Sequence, residues 1–201
     1  MFNMTNKNNK NDQIKTDIIV KARELFKRFG LNKTTMEDIA QTMSKGKSTL
    51  YYYFSGKEEV LYAVAQKEIA DTFGSILKEV EKQESAQERL RAFFLKRFNV
   101  LEEKLNTYPA MVREQKKDIE IIHKIHAEFS LLERNLIKEI LLYGVKSGEF
   151  THITKKDCDS LATAASTILS GVDIYTFVEG KVPPIGNQLN ILFDIIMRGV
   201  K

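Results

Sequence analysis

The stretch from Ile19 to Val64, IVKARELFKRFGLNKTTMEDIAQTMSKGKSTLYYYFSGKEEVLYAV, decides the fold. Together with Ile14 and Ile18 just upstream, Ala22, Leu25, Phe26 and Phe29 make one apolar stripe at helical spacing, which Gly30 stops. Thr34-x-x-Glu37 then has the form of a capping box, and Met36, Ile39, Ala40 and Met43 form a second stripe only two turns long. Ser44-Lys45-Gly46 is a turn signal. Lys47 to Phe54 follows as a third short helix, with Leu50 and Phe54 at i, i+4 on one face. Ser55-x-x-Glu58 reads as another capping box and opens a long helix through Val60, Leu61, Val64, Phe73, Ile76, Leu77 and Val80. Short helix, tight turn, short helix is the geometry of a helix-turn-helix, whose second helix enters the major groove of B-DNA.

The side chains of the third helix suit that role. With Leu50 and Phe54 turned inward, Ser48, Thr49 and Tyr52 face away, while Lys47, Tyr51 and Tyr53 lie toward the flanks. Hydroxyls donate to phosphates or base edges, and aromatic rings touch thymine methyls. Lys57 falls in the first turn of the long helix, where free backbone amides already favour an anion, and is the expected phosphate clamp. Charge agrees with this placement. Residues 1–57 carry eleven basic and five acidic side chains, a net +6, whereas the rest of the chain is net −2. A basic end on a slightly acidic body suggests that one small module meets a polyanion.

Outward from this module the whole chain reads as helical. Beyond Gln83 come stripes such as Leu90, Phe93, Phe94, Leu101 and Leu105, a break at Tyr108-Pro109, and a further stripe from Ile119 through Ile122, Phe129, Leu136 and Ile140. Gly144 and Ser147-Gly148 end that stretch, Thr154-x-x-Asp157 caps the next helix, and Gly180 with Pro183-Pro184 precedes a last helix from Leu189 to Met197. That last segment is apolar around most of its circumference, so it is either a core helix or half of a subunit interface. No strand-period segment of useful length appears. Over 201 residues there are only 10 Gly and 3 Pro, too few turn residues for an all-β sandwich. The single Cys158 excludes an internal disulfide and a Cys-based zinc site. No apolar run is long enough to span a membrane, and MFNMTNKNNKND has no signal-peptide core, so the expected location is the cytoplasm and the first eleven residues a disordered tail.

In sequence, Ala22, Leu25-Phe26, Phe29-Gly30, Thr34-Thr35, Ile39-Ala40, Thr49-Leu50-Tyr51, Phe54 and Lys57-Glu58-Glu59 closely resemble the DNA-binding domain of tetracycline-repressor (TetR) family regulators. The resemblance covers about a quarter of the chain at the level of motifs and the remainder in architecture alone. It implies an all-α chain with an N-terminal helix-turn-helix DNA-binding domain, residues 12–57, followed by a helical ligand-binding and dimerisation domain, residues 58–201. Dimerisation through the last two helices is part of that expectation. Carried over residue by residue, it implies base or backbone contacts by Lys47, Thr49, Tyr51, Tyr52 and Tyr53, and phosphate contacts by Thr35, Tyr51 and Lys57. One departure stands in the turn. Where the family usually has Gly, an apolar residue and Ser, this chain has Ser44, Lys45 and Gly46, so Ser44 must adopt whatever backbone the Gly supplies and Lys45 must snorkel.

The expected activity is ligand-responsive transcriptional regulation, more specifically repression relieved when a small molecule releases the protein from a pseudo-palindromic operator. The expected partners are double-stranded operator DNA, a second copy of the chain and a small-molecule effector of unassigned identity, with no membrane and no cofactor. Phe93, Phe94, Phe98, Met111, His126 and Phe129 are the candidates for the effector pocket, set against the plainer reading of such stripes as core. The alternatives are a protein of the same fold without ligand sensing and, from a different class, a helical-bundle metalloenzyme. The metalloenzyme rests on Glu120-x-x-His123 and Glu149-x-x-His152, which have di-iron spacing. The second copy lies in a loop signal where the motif requires a helix interior. No phosphate loop, nucleophile elbow or Ser/His/Asp ordering is present, so an enzyme is not expected and no metal site is assigned.

Overall fold

The computed structural model describes residues 3–108, 119–183 and 188–200. Among these residues there are eight helices and no strand: α1 (Asn3–Phe29), α2 (Met36–Thr42), α3 (Lys47–Tyr53), α4 (Lys57–Glu81), α5 (Ala86–Thr107), α6 (Ile119–Ser147), α7 (Cys158–Glu179) and α8 (Leu189–Val200). The chain divides into two compact units, Met1–Glu68 with Thr107–Ile122, and Ile69–Asn106 with His123–Lys201.

In the N-terminal unit the stripes read from the sequence become one core. Ile18, Ala22 and Phe26 of α1 pack with Ile39 and Ala40 of α2, Leu50 of α3, Phe54, and Val60, Leu61 and Val64 of α4. Helix α1 begins at Asn3, through the segment expected to be a disordered tail. Once the amphipathic part from Ile14 is helical, each preceding residue joins at the cost of propagation alone, without a new nucleus. Gly30 ends α1 with φ of 82°, and its N–H donates to the Phe26 carbonyl at 3.0 Å.

Two local expectations shift by a residue and a third fails. The capping box of α2 is Thr35 with Asp38, the Thr35 hydroxyl accepting from the Asp38 amide at 3.2 Å while the Asp38 carboxylate accepts from the Thr35 amide at 2.9 Å. Thr34 instead is buried and donates its hydroxyl to the Gly30 carbonyl at 2.7 Å. Ser55 pairs with Glu59 and not Glu58, its amide and hydroxyl both donating to Glu59 Oε2 at 2.6 and 2.9 Å. Gly144 stops nothing: it lies inside α6, where the ring of Phe150 sits on its Cα and a Cβ would come within 2.2 Å of that ring.

The second unit is built on Ile76 and Val80 of α4, Leu90, Phe93 and Phe98 of α5, Leu136, Ile137, Ile140 and Leu141 of α6, Ala162 and Leu169 of α7, and Phe193 and Met197 of α8. Glu149, part of the discarded metal spacing, caps α5: its two carboxylate oxygens accept from the amides of Ala86 and Gln87 at 3.0 and 3.2 Å. Burial pushes this carboxyl up, but the two amides and the Ser147 hydroxyl outweigh it and hold the group below the usual carboxylate range. Helix α8 is a core helix on one side only. Phe193 and Met197 are buried, while Ile191, Leu192, Ile195 and Ile196 are exposed.

Candidate nucleic-acid interface

The turn between α2 and α3 fixes how the recognition helix is presented. After the C-cap Met43, the Ser44 amide donates to the Gln41 carbonyl at 3.1 Å and the Lys45 amide to the Ala40 carbonyl at 3.0 Å. This is the paired bond pattern of a Schellman motif, which needs a left-handed residue at the position Ser44 occupies. Ser44 has φ of 52°, the only positive φ outside glycine among the described residues. The strain expected at the missing glycine is therefore present, and the turn closes in spite of it. Lys45 is exposed and lines a shallow groove with Ile14, Val20 and Met43, so its stem lies along apolar surface. Gly46 is the N-cap of α3 in extended backbone with no side-chain cap.

Helix α3 is anchored by Leu50, which is fully buried, and by Phe54 directly after it. The opposite side carries what the sequence reading assigned to DNA. Tyr52 is 75% exposed and Tyr51 45%, Lys47 and Ser48 are exposed, and Thr49 is half-buried. Lys47 forms an ion pair with Glu37 of α2 and sits 5.5 Å from the Tyr51 ring centroid. The hydrogen bond from Lys47 holds the Glu37 carboxyl below its ordinary value and raises that of the lysine. The Thr35 hydroxyl is committed to the cap of α2, and its bonds lower the Asp38 carboxyl. Lys57 lies at the start of α4 and donates to the Leu31 carbonyl at 2.9 Å, tying that helix to the loop after α1. Tyr53 is half-buried, and its hydroxyl donates to Asn11 Oδ1 of α1 at 3.0 Å. The structure thus brings Lys47, Thr49, Tyr51 and Tyr52 together on one small helix and gives Thr35, Tyr53 and Lys57 intramolecular partners.

This geometry has counterparts. Residues 18–64 match the model of the family described as bacterial regulatory proteins, tetR family. Residues 18–64 therefore carry the DNA-binding module of the tetR family. The fatty acid metabolism regulator protein of Bacillus subtilis (strain 168) is 24% identical over 133 residues, 66% of this chain and 68% of that protein. Among solved structures, a transcriptional regulator from Cytophaga hutchinsonii ATCC 33406 superposes with a TM-score of 0.67 at 27% identity, covering 91% of this chain and 92% of the other. The transcriptional regulator FadR from Bacillus subtilis in complex with stearoyl-CoA superposes with a TM-score of 0.57 at 19% identity, covering 92% of this chain and 99% of that one. Together the family-model match and the likeness to the regulator of Bacillus subtilis support a DNA-binding transcriptional regulator. No helix among the described residues is long and apolar enough to cross a membrane.

Of the pocket candidates, Phe93 and Phe98 are buried in the core of the second unit and Phe94 and Phe129 pack against it. Met111 lies outside the described residues. His126 is half-buried, and its Nε2 is 3.1 Å from Asp173 Oδ2. That contact opens onto a cluster that the sequence reading missed. Arg97 of α5, 4% exposed, makes an ion pair with Glu133 of α6 and donates from one terminal nitrogen to both oxygens of Asp173 of α7 at 2.7 and 2.6 Å. The Arg97 guanidinium also stands 5.1 Å from the Phe129 ring centroid. Burial pushes the Glu133 carboxyl above its ordinary value despite Arg97, and its Oε2 finds no hydrogen-bond partner among the described residues. Burial raises Asp173 too, but the hydrogen bond with His126 and the Arg97 charge leave it below the usual range. A signal was legible: Arg97 lies four residues after Phe93 and Asp173 four after Leu169, so both fall in the apolar register of their helices.

Among the described residues no group of three or more His, Cys, Asp or Glu side chains could hold a metal ion.

Proposed function

We propose that the protein is a homodimeric repressor that leaves a pseudo-palindromic operator when its helical body binds a long-chain acyl-CoA. The observation that carries this reading is the solvent-facing row of Lys47, Thr49, Tyr51 and Tyr52 on a helix fixed from behind by Leu50 and Phe54. A surface of hydroxyls, rings and one cation on a seven-residue helix is made for reading base edges and methyls. Lys57 and Thr35, at the starts of α4 and α2, are the phosphate contacts in this reading. Dimerisation is supported by the apolar row Ile191, Leu192, Ile195 and Ile196 on α8 together with Ile168 and Ile174 on α7, all exposed in the single chain. An isologous contact there gives the two-fold symmetry that paired half-sites require.

The effector class is supported by the likeness to a fatty acid metabolism regulator and to a regulator crystallised with stearoyl-CoA. The aromatic core around Phe93, Phe94, Phe98 and Phe129 is of a chemistry that accepts an acyl chain. Helix α4 contributes Val60, Leu61 and Val64 to one core and Ile76 and Val80 to the other, which makes it the natural carrier of the response. The test is titration of stearoyl-CoA, with stearate and coenzyme A alone as controls, into the protein bound to a fluorescent duplex selected from random DNA. The expected result is release by stearoyl-CoA and, by linkage, weakening of stearoyl-CoA by DNA through the same factor, about 5- to 150-fold. Affinity for the duplex that is indifferent to all three compounds would overturn the effector assignment and leave a DNA-binding protein without ligand sensing.

A further inference from the structure

Helices α6 and α7 carry two matching polar rows. His126, Ser130 and Glu133 lie at i, i+4 and i+7 on α6, and Ser166, Ser170 and Asp173 have the same spacing on α7, so each triplet keeps to one face of its helix. The rows meet in a seam. Ser166 donates to the Ser130 carbonyl at 3.1 Å, the Ser130 and Ser170 hydroxyls are 3.2 Å apart, and His126 Nε2 is 3.1 Å from Asp173 Oδ2. From half-buried His126 the seam runs inward to Glu133, which is 1% exposed. One buried polar atom in it is left over. Glu133 Oε1 accepts from Arg97, whereas Oε2 has no hydrogen-bond partner among the described residues. A buried acceptor without a donor is costly, so it marks a place where an incoming N–H or O–H group gains a bond that the protein does not supply. Charge narrows the kind of group that fits. Arg97 is one cation against the two carboxylates of Glu133 and Asp173, and a neutral His126 adds nothing to that balance. The Phe129 ring stands 5.1 Å from the guanidinium, and the rest of this core is apolar. A carboxylate brought in by a ligand would be a further buried charge with no cation to meet it, while a neutral donor brings no charge at all.

We infer that Glu133 is the polar anchor of the effector site: its Oε2 accepts a neutral N–H of the bound molecule, and the unbalanced negative charge around it excludes a free carboxylate. The inference rests on the effector reading above and narrows it to acyl compounds whose head carries an amide donor. A long-chain acyl-CoA qualifies, because its pantetheine arm bears amide N–H groups beyond the thioester. The corresponding fatty acid does not. Sites that are mainly apolar take their orientation from a few placed polar groups, and here the aromatic core would hold the chain while Glu133 sets how deep its head lies.

The experiment compares one chain length with three heads. Dodecanamide, methyl dodecanoate and dodecanoate are each titrated by calorimetry into the full-length protein at pH 8, beside stearoyl-CoA. Dodecanamide should bind about tenfold more tightly than the ester, which lacks the N–H, and by a larger factor than the carboxylate. Glu133→Gln keeps the shape and an oxygen for Arg97 but puts an NH2 donor where Oε2 was, so the order should reverse in favour of the ester and the carboxylate. An unchanged melting temperature for this variant shows that the fold is kept. Equal binding of all three heads by the wild type, or the same order in Glu133→Gln as in the wild type, would overturn the anchor and leave Oε2 to a water molecule. Binding of stearoyl-CoA with none of the three dodecyl compounds would also overturn the anchor and keep the effector reading. Dodecanamide held through Glu133 without binding of stearoyl-CoA would do the opposite. Failure of all four compounds to bind would overturn both.

Discussion

The two units of this protein handle charge in opposite ways. In the N-terminal unit the core residues of α1 to α4 are apolar, Lys47 and Glu37 are exposed, and the Arg23–Glu68 ion pair is only partly buried. In the second unit an arginine and two carboxylates lie inside, 4%, 1% and 6% exposed, held by three helices whose contacts reach 36 and 76 residues along the chain. The difference fits the role proposed for each unit. In the proposed reading a surface that meets DNA keeps its cations in water until the phosphates arrive, and the core behind it is apolar. A buried ionic cluster contributes little net stability, because desolvation cancels most of the attraction, but it penalises any arrangement that separates the partners. Each arrangement of α5, α6 and α7 must keep Arg97 with Glu133 and Asp173, which specifies how those helices meet.

The sharpest way to break this contrast is Arg97→Ala. It strands Glu133 and Asp173 in the core and should destabilise the protein by about 3–5 kcal/mol, read by urea unfolding. Arg97→Met combined with Glu133→Leu and Asp173→Leu should recover most of that loss, whereas failure to recover it would mean that the cluster stabilises outright.

Next in size is Gly144→Ala, whose Cβ would meet the Phe150 ring at 2.2 to 2.8 Å. Overpacking of this kind costs about 1–3 kcal/mol, and Gly144→Ala/Phe150→Leu should be milder than the single variant. In the DNA-binding unit the corresponding weak point lies at a helix end. Thr35→Ala removes the α2 cap and should cost about 1 kcal/mol by thermal unfolding. A smaller change of opposite sign is expected at the turn: Ser44→Gly relieves the left-handed serine and should stabilise by about 0.5–1 kcal/mol, with Ser44→Val destabilising.

The smallest effect is a pH dependence that sharpens the comparison. Hydrogen bonds from Thr35 hold the exposed Asp38 below its unfolded value, so its contribution to stability is present above about pH 4 and lost as the pH falls through the native value. Glu133 has the reverse sign. Its native value is raised, so burial penalises the ionised form, and stability falls as the pH rises through that value. Asp38→Asn should flatten the acid limb of the unfolding curve, and Glu133→Gln should remove the loss at higher pH.

By itself the sequence determined the all-α class, the helix-turn-helix, the inward Leu50 and Phe54 and the outward Tyr52, because these depend on periodicity and on neighbours within a few turns. It also marked Ser44 as the exceptional residue of the turn, since a missing glycine is a local conformational fact. Local signals failed where two similar residues adjoin: Thr34 or Thr35, Glu58 or Glu59. The sequence offers either as a cap, and the choice is made by which side chain the core needs, as with Thr34 buried on the Gly30 carbonyl. Only tertiary structure decided the partners of Arg97, Glu149, Lys57 and Tyr53. Each of these polar groups meets a group at least 26 residues away in the chain. Periodicity records which face a residue occupies, and it carries no information on which distant residue will be waiting there.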